Sequence, residues 1–194
     1  PSVEEVVFPM KPVSDDEIAE WKEEHPEDFK AWRKQMHQAY DLRESVKSRH
    51  NVATLAVSAA EMLKDFDVIY FPWNLDFRGR MYPLARHLTP QGNDLGKGLL
   101  RFAEGKTLGE SGGYWLAIFG SNTFGNDKVS LAERCKWVEE NEHLILDSAS
   151  DPLGGEKFWI EADKPWQFLA FCFEWAKYKA EGPSFKSQLP VAID

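Results

Sequence analysis

The sequence has 194 residues, of which 32 are acidic and 23 are Lys or Arg, so its length allows a substantial core and its formal net charge is −9. This acidity argues against a uniformly basic nucleic-acid-binding protein, although a local basic patch can still bind nucleic acid. Two widely separated cysteines predict neither a disulfide framework nor a zinc site, and without a signal-like or bilayer-length apolar segment we expect a soluble, intracellular protein with no membrane partner.

The first third of the chain predicts a connector followed by helices. Residues 1–13 contain three prolines and suggest an extended segment. The capping-box pattern from Ser14 to Glu17 predicts a short acidic helix to about Glu24, which Pro26 ends. From Glu27 to about Asp65, apolar residues at steps of three and four predict one long helix or two in series. The middle of this segment is basic, and a charged helix face of this kind is usually just solvated.

The middle of the chain predicts a small strand region and a short helix. An apolar run over residues 67–71 predicts a strand that ends at Pro72, and a second short strand follows a turn with two arginines. After a polar turn, Asn93 can cap a helix that runs through about Ala103. These elements predict a surface that combines a hairpin with a helix start.

The second half predicts three further helices and a terminal strand. Residues 112–119 are rich in aromatic residues and predict a buried helix, and a second capping box at residues 130–133 opens a helix toward Ser148. Pro165 fits the first turn of a last helix that is apolar on several sides, which implies burial. The aromatic residues of segments 114–119 and 166–175 are therefore assigned to the core. Residues 187–193 read as a strand with Asp194 at its end.

Arg78 and Arg80 form a candidate anion-binding pair around Gly79. If the segment is extended, the two arginines share one face, and the glycine permits close approach of a backbone or a phosphate. The planar guanidinium can bond phosphate oxygens in pairs. The alternative is a surface ion pair with the neighbouring Asp76.

The order and spacing of many segments resemble the bacteriophage T7-like single-subunit RNA polymerases, with mitochondrial RNA polymerases as more distant relatives. The resemblance runs through the sequence blocks at residues 76–82, 90–100, 114–116, 126–129, 139–141, 168–174 and 189–194. It implies an α+β fold, mostly helical, with thumb helices and a partial polymerase palm that contains a small antiparallel sheet. Residues 1–66 would be the end of the thumb and residues 67–194 the first part of the palm. Since family members are several times longer, the resemblance implies a fragment.

The resemblance also implies roles for individual residues. Asp194 matches a metal-binding, catalytic aspartate at the end of a palm strand; on its own, a carboxylate there is more often a surface or capping residue. Phosphoryl transfer needs divalent ions, and Mg²⁺ prefers carboxylate oxygens. Lys128, otherwise a solvated loop lysine, falls near the triphosphate of the incoming nucleotide. Positions near the template and the hybrid are implied for four residues: Arg78, Arg80, Tyr82 and Lys97.

We therefore expect part of a DNA-directed RNA polymerase that adds ribonucleotides on a template with two magnesium ions. Its partners would be the DNA template, the RNA product and ribonucleoside triphosphates, with a complete enzyme that is monomeric and works in the cytoplasm of a phage-infected bacterium. The isolated chain is expected to be inactive. Two alternatives remain: a non-catalytic nucleic-acid-binding fragment, and part of a related palm-type DNA polymerase. The motifs that select ribose lie outside this chain.

Overall fold

The structure is a computed structural model that describes residues 5–15 and 17–191. The chain forms two compact units, Pro1–Leu55 and Ala56–Asp194. The division expected from the resemblance, a thumb over residues 1–66 and a palm over residues 67–194, concerns parts of the polymerase family and stays a prediction.

In the first unit, helix α1 (Ile18–Glu24) is followed directly by helix α2 (Pro26–Leu63). The Glu17 carboxylate accepts hydrogen bonds from the hydroxyl and the backbone N–H of Ser14 at 2.7 and 3.2 Å. These two bonds hold the pKa of Glu17 below its ordinary value. The predicted end of the short helix at Glu24 is confirmed, but its predicted start at the capping box of residues 14–17 is wrong, because the helix begins at Ile18 and its N-cap, Glu17, makes no side-chain cap bond. The long segment is one helix of 38 residues. It spans the boundary between the two units.

The core of the second unit is built by four helices: α4 (Gly109–Phe124), α5 (Leu131–Glu140), α6 (Glu142–Ser150) and α7 (Pro165–Glu181). Helices α4 and α7 pack so closely that a Cβ on Gly120 would collide with the ring of Phe171. The buried side chains of this core are Leu116, Ala117, Phe119, Val138, Ile145, Trp159, Ala162, Phe168, Phe171, Cys172 and Trp175. Burial raises the pKa of the Cys172 thiol, which behaves as a packed apolar group.

Two helix starts in this unit follow the sequence signals. Ser130 and Glu133 form the predicted reciprocal capping box at the start of α5, and Pro165 occupies the first turn of α7. The single helix predicted to run from this box toward Ser148 is wrong, because the chain breaks at Asn141 into α5 and α6. Asn141 leaves the helical conformation and donates its side-chain amide to the Trp137 carbonyl at 2.8 Å.

The strands form two small antiparallel sheets, and the prediction of a mostly helical α+β fold is confirmed. Strand β1 (Trp73–Leu75) pairs with β2 (Met81–Pro83), with Asn74 opposite Tyr82. Strand β3 (Lys106–Thr107) pairs with β4 (Lys186–Ser187). The sheets are small because each strand has only two or three residues with a partner.

The short strand predicted after the arginine turn is confirmed as β2, and the other two predicted strand positions need correction. Residues 67–71 are not a strand, since the ladder begins only at Trp73, opposite Pro83. Of the strand predicted over residues 187–193, only Ser187 is in β4. The next residue, Gln188, forms its hydrogen bonds with a different segment. Its carbonyl accepts the N–H of Phe102, and its side-chain amide donates to two carbonyls of the segment that contains Phe102. Residues 192 and 193 lie outside the described part of the chain.

Helix α3 (Asp94–Leu99) is shorter than predicted. It ends before Leu100, whose backbone is extended (φ −95°, ψ 141°), so the predicted continuation to Ala103 is wrong. Some aromatic residues assigned to the core are instead exposed by 40 to 58%: Tyr114, Trp115, Trp166 and Phe173. Each lies on the outward side of a helix or at its start. Among the described residues, no helix has the length and the apolar content required to cross a bilayer.

Candidate nucleic-acid interface

Asp76 organises the turn of the β1–β2 hairpin. Its Oδ1 accepts the backbone N–H groups of Arg78 and Arg80, both at 2.9 Å, and the backbone N–H of Asp76 donates to the carbonyl of Arg80 at 2.9 Å. Gly79 has φ +78°, a conformation that glycine adopts without steric cost. The N–H of Arg80 is the main cause that lowers the pKa of Asp76, ahead of Arg78, while partial desolvation opposes the shift. The turn is therefore fixed by a carboxylate that stays ionised.

The two arginines have different surroundings. Arg78 donates from Nε to Oδ2 of Asp76 at 3.1 Å, and its Nη2 lies 3.5 Å from the Tyr82 hydroxyl. The ion-pair alternative thus describes the side chain of Arg78. The guanidinium of Arg80 has no hydrogen-bond or ion-pair partner among the described residues, and Arg80 is exposed. Of the pair, Arg80 is the cation left available to an outside anion.

The hairpin also presents aromatic groups to solvent. Phe77 is 97% exposed at the turn, and the Arg78 guanidinium lies 5.6 Å from its ring centre. Tyr82 and Trp73 are each exposed by about two fifths. Exposed rings beside arginines suit stacking against nucleic-acid bases.

Lys97 lies on α3, whose position depends on two polar caps. Asn93 accepts the N–H of Gly96 at 2.9 Å and caps α3 as predicted. Asp94 reaches in the other direction: its carboxylate accepts the backbone N–H of Trp166 at 2.8 Å and the side-chain amide of Gln167 at 3.0 Å. It thereby caps the start of α7 and ties the two helices together.

Gly98 lets α3 pack against the backbone of α7. A Cβ on Gly98 would lie 2.8 Å from the carbonyl carbon and oxygen of Trp166, closer than packed atoms approach. Gln91 ties the same region to the hairpin, since its side-chain amide donates to the carbonyl of Met81 at 3.1 Å. The hairpin that carries Arg78, Arg80 and Tyr82 is thus connected to the turn before Lys97.

Lys128 lies on a separate loop after α4, with its side chain 89% exposed and its Nζ 3.4 Å from Asp127. Arg134 of α5 holds this loop in place. Its guanidinium donates to the carbonyls of Asp127 and Val129 at 2.7 and 3.0 Å and to the Asn122 side chain at 2.8 Å. The loop is therefore supported by a half-buried arginine while Lys128 points into solvent.

Asp194, the predicted metal ligand, lies outside the described residues. Across residues 5–15 and 17–191, no group of three or more Asp, Glu, His or Cys side chains is arranged to hold a metal ion.

Three residues that shape this surface were not singled out from the sequence for the role they have. The role of Asp76 could have been predicted, because an aspartate side chain in a turn commonly accepts a hydrogen bond from the backbone N–H two residues later. Arg134 and Asp94 act on segments distant along the chain, and no local pattern marks them.

The second unit is mostly helical and carries cations on a hairpin and at a helix start, which are features of a polyanion-binding protein. Comparison with known proteins specifies the class of protein to which the chain belongs. The model of the DNA-dependent RNA polymerase family matches residues 106–194. A DNA-directed RNA polymerase of Enterobacteria phage K11 is 40% identical over 196 residues, which cover 100% of this chain and 20% of the relative. T7 RNA polymerase of Escherichia phage T7 is 40% identical over 194 residues, 100% of this chain and 21% of the relative.

More distant relatives come from organelles. A mitochondrial DNA-directed RNA polymerase of Neurospora crassa is 38% identical over 188 residues, which cover 96% of this chain and 13% of the relative. The chain belongs to the family of T7-like single-subunit DNA-directed RNA polymerases. It spans about a fifth of the length of the phage relatives it matches.

Proposed function

We propose that this chain is part of an enzyme that adds ribonucleotides to an RNA strand on a DNA template. The observation that carries the proposal is the 40% identity to T7 RNA polymerase over the whole chain. The partners are the DNA template, the RNA product and ribonucleoside triphosphates, and the complete enzyme acts as a monomer in the cytoplasm of a phage-infected bacterium.

The hairpin and α3 serve the nucleic acid in this proposal. The guanidinium of Arg80, which has no partner in the described part of the chain, can bond a phosphate with two N–H groups, and the Asp76 carboxylate holds the backbone that carries it. Arg78, paired with Asp76 and next to Tyr82, braces the turn and adds positive charge. Lys97 contributes a further cation from a helix fixed by two caps. Contacts of this kind position a strand and do not read its sequence.

Lys128 serves the triphosphate of the incoming nucleotide. Charge on the leaving pyrophosphate grows as the phosphoryl group is transferred, and a cation held in place favours that state over the ground state. Arg134 fixes the loop, so that Lys128 is ordered at its base and free at its tip. Its exposed partner Asp127 can be exchanged for a phosphate at little cost, because exposed ion pairs are weak.

Asp194 is the proposed metal ligand, and magnesium is the proposed ion. Bound divalent ions would supply a more nucleophilic 3′ hydroxyl and neutralise charge on the leaving group.

The test uses the complete polymerase that contains this chain. Asp194→Asn should leave folding and promoter binding intact and remove nearly all RNA synthesis, and Asp147→Asn, a carboxylate on α6, is the matched control. The 194-residue chain alone should show no primer extension, since one carboxylate does not hold two metal ions. Magnesium-dependent extension by the isolated chain, or full synthesis by Asp194→Asn, contradicts the proposal.

A further inference from the structure

A pocket of about 680 Å³ lies beside α3 in the second unit. It is bounded by the end of α2 and the segment that follows, by α3 and residues 100–103, and by residues 188, 190 and 191. This volume is within the range of roughly 300–1,000 Å³ that is typical of ligand sites. We refer to it as the Lys97 pocket.

The Lys97 pocket concentrates positive charge in an acidic chain. Three cations, Lys64, Lys97 and Arg101, line it together with one acidic residue, Asp67. None of the three cations forms an ion pair with a described residue. Like charges around a concave site repel each other and raise the local concentration of anions. The pocket therefore favours a ligand with several negative charges.

Aromatic rings line the same pocket. Phe66 is 65% exposed and Phe102 is 60% exposed, so both present large apolar faces to water. Stacking against a flat apolar group removes that surface from water. Aromatic rings interleaved with cations are the arrangement with which proteins bind single-stranded nucleic acid, where bases stack and phosphates pair with the cations.

The walls of the pocket are fixed before any ligand binds. The N–H of Phe102 donates to the Gln188 carbonyl at 2.8 Å, and the side-chain amide of Gln188 donates to the carbonyls of Phe102 and Ala103 at 2.9 and 3.0 Å. Asp94 and Gly98 also fix α3 against α7. A site that is already ordered loses less conformational entropy when it binds.

We propose that the Lys97 pocket binds a single-stranded stretch of nucleic acid, with a base against Phe102 or Phe66 and adjacent phosphates against Lys64, Lys97 and Arg101. The inference rests on the proposed polymerase function and deepens it. It adds an aromatic wall and two further cations to the surface that includes Lys97. Because the site recognises phosphates and base faces, it accepts any base.

The test compares two variants of the complete polymerase, Arg101→Gln and Phe102→Ala, both at exposed side chains. Binding of labelled single-stranded DNA and RNA is followed by fluorescence anisotropy over a salt series. Arg101→Gln should weaken binding and reduce the slope of log affinity against log salt by about 0.7, the value for one phosphate contact on a single strand. Phe102→Ala should weaken binding about fivefold or more at an unchanged slope, because stacking releases no counterions.

Two matched controls lie outside the pocket. Arg86→Gln removes an exposed arginine, and Phe173→Ala removes a phenylalanine that is 40% exposed on α7. Both should bind as the unaltered enzyme does. The DNA and RNA arms identify which strand occupies the pocket, and preference for either supports the proposal. Equal weakening by controls and pocket variants would overturn it.

A protein segment of the polymerase is the competing occupant. If Phe102→Ala lowers the melting temperature of the enzyme and leaves nucleic-acid binding unchanged, the pocket is a packing surface and the proposal is wrong. The Asp194→Asn experiment is independent of this outcome. An enzyme that synthesises RNA and whose pocket variants bind normally disproves only the pocket, whereas an enzyme that synthesises no RNA disproves the polymerase function.

Discussion

Oδ1 of Asp76 accepts the backbone N–H of Arg80 at 2.9 Å, and the same oxygen accepts the N–H of Arg78. One carboxylate thus sets the course of the chain through the turn that separates two arginines. The side chain of Arg78 is drawn to that carboxylate, and the side chain of Arg80 is left without a partner among the described residues.

Acid should loosen this turn. The pKa of Asp76 lies below its ordinary value of about 3.9, so its contribution to stability is present at neutral pH and is lost as the pH falls through the lowered pKa of the folded state. In an NMR titration, the amide protons of Arg78 and Arg80 should shift together with the Asp76 carboxyl carbon, with a midpoint below 3.9. Amide protons that move independently of Asp76, or a midpoint above the ordinary value, would contradict the assigned hydrogen bonds.

Arg80→Lys should weaken binding of the template by about three- to tenfold while leaving the salt slope unchanged, since the charge remains and the paired N–H donors are lost. Arg80→Gln should also reduce the slope by about one phosphate contact. Binding is measured in the complete polymerase over a salt series, with Arg86→Lys as the control. Normal affinity and elongation by Arg80→Lys would return Arg80 to the role of a solvated surface residue.

Lys128→Ala should raise the KM for nucleotides or slow incorporation about tenfold or more, with promoter binding unchanged. The lysine is 89% exposed and lies outside the core, so its removal should not alter folding. Lys136→Ala, an exposed lysine of α5 that pairs with Glu140 at 3.3 Å, is the matched control. The measurement is steady-state kinetics with all four nucleotides. Unchanged kinetics would exclude a contact between Lys128 and the triphosphate.

Arg134→Lys should impair nucleotide use through Lys128. A lysine keeps the charge but cannot reach the carbonyls of Asp127 and Val129 and the Asn122 side chain together, so the loop loses its support. The KM should rise by a similar factor to that of Lys128→Ala, and the double variant should be no worse than the single ones. Additive effects would mean that Arg134 acts on stability alone.

Gly98→Ala should destabilise the second unit by about 1–3 kcal/mol, because its Cβ would overlap the Trp166 backbone and force α3 away from α7. Gly79→Ala, where no atom lies within 4 Å but φ is +78°, should cost only about 1–2 kcal/mol of backbone strain. Thermal unfolding measures the loss of stability in both variants. The affinity for nucleic acid should decrease more in Gly98→Ala than its loss of stability explains, because the substitution also moves Lys97. Equal melting temperatures for Gly98→Ala and the unaltered protein would contradict the packing.

The elements that were predicted correctly carry their signals locally. Ser130 and Glu133 are three residues apart, and the proline that starts α7 restricts its own backbone, so these starts follow from short stretches of sequence. The ends of the strands were predicted wrongly because a strand extends only as far as its partner strand does. The partners of Trp73 and Ser187 are set by tertiary structure.

The residues of the candidate site were likewise predictable from the sequence only in part. The resemblance selected Arg78, Arg80, Tyr82, Lys97 and Lys128 as nucleic-acid or nucleotide contacts, and these assignments stay predictions, as does Asp194. The supports of the site were missed, because Arg134 and Asp94 join segments that are distant in sequence. The pocket around Lys97 could not be anticipated either, since its walls come from stretches that are far apart along the chain.

The hydrogen bond between Asp94 and Trp166 joins residues that are 72 positions apart in the sequence. A helix of six residues is too short to be stable alone in water, and α3 depends on α7 both for packing and for the partner of its carboxylate. During synthesis on the ribosome, α3 is therefore completed only after α7 has emerged. Contacts between residues so far apart form late in folding as a rule, so we expect the surface that carries Lys97 to become native after the individual helices of this unit have formed.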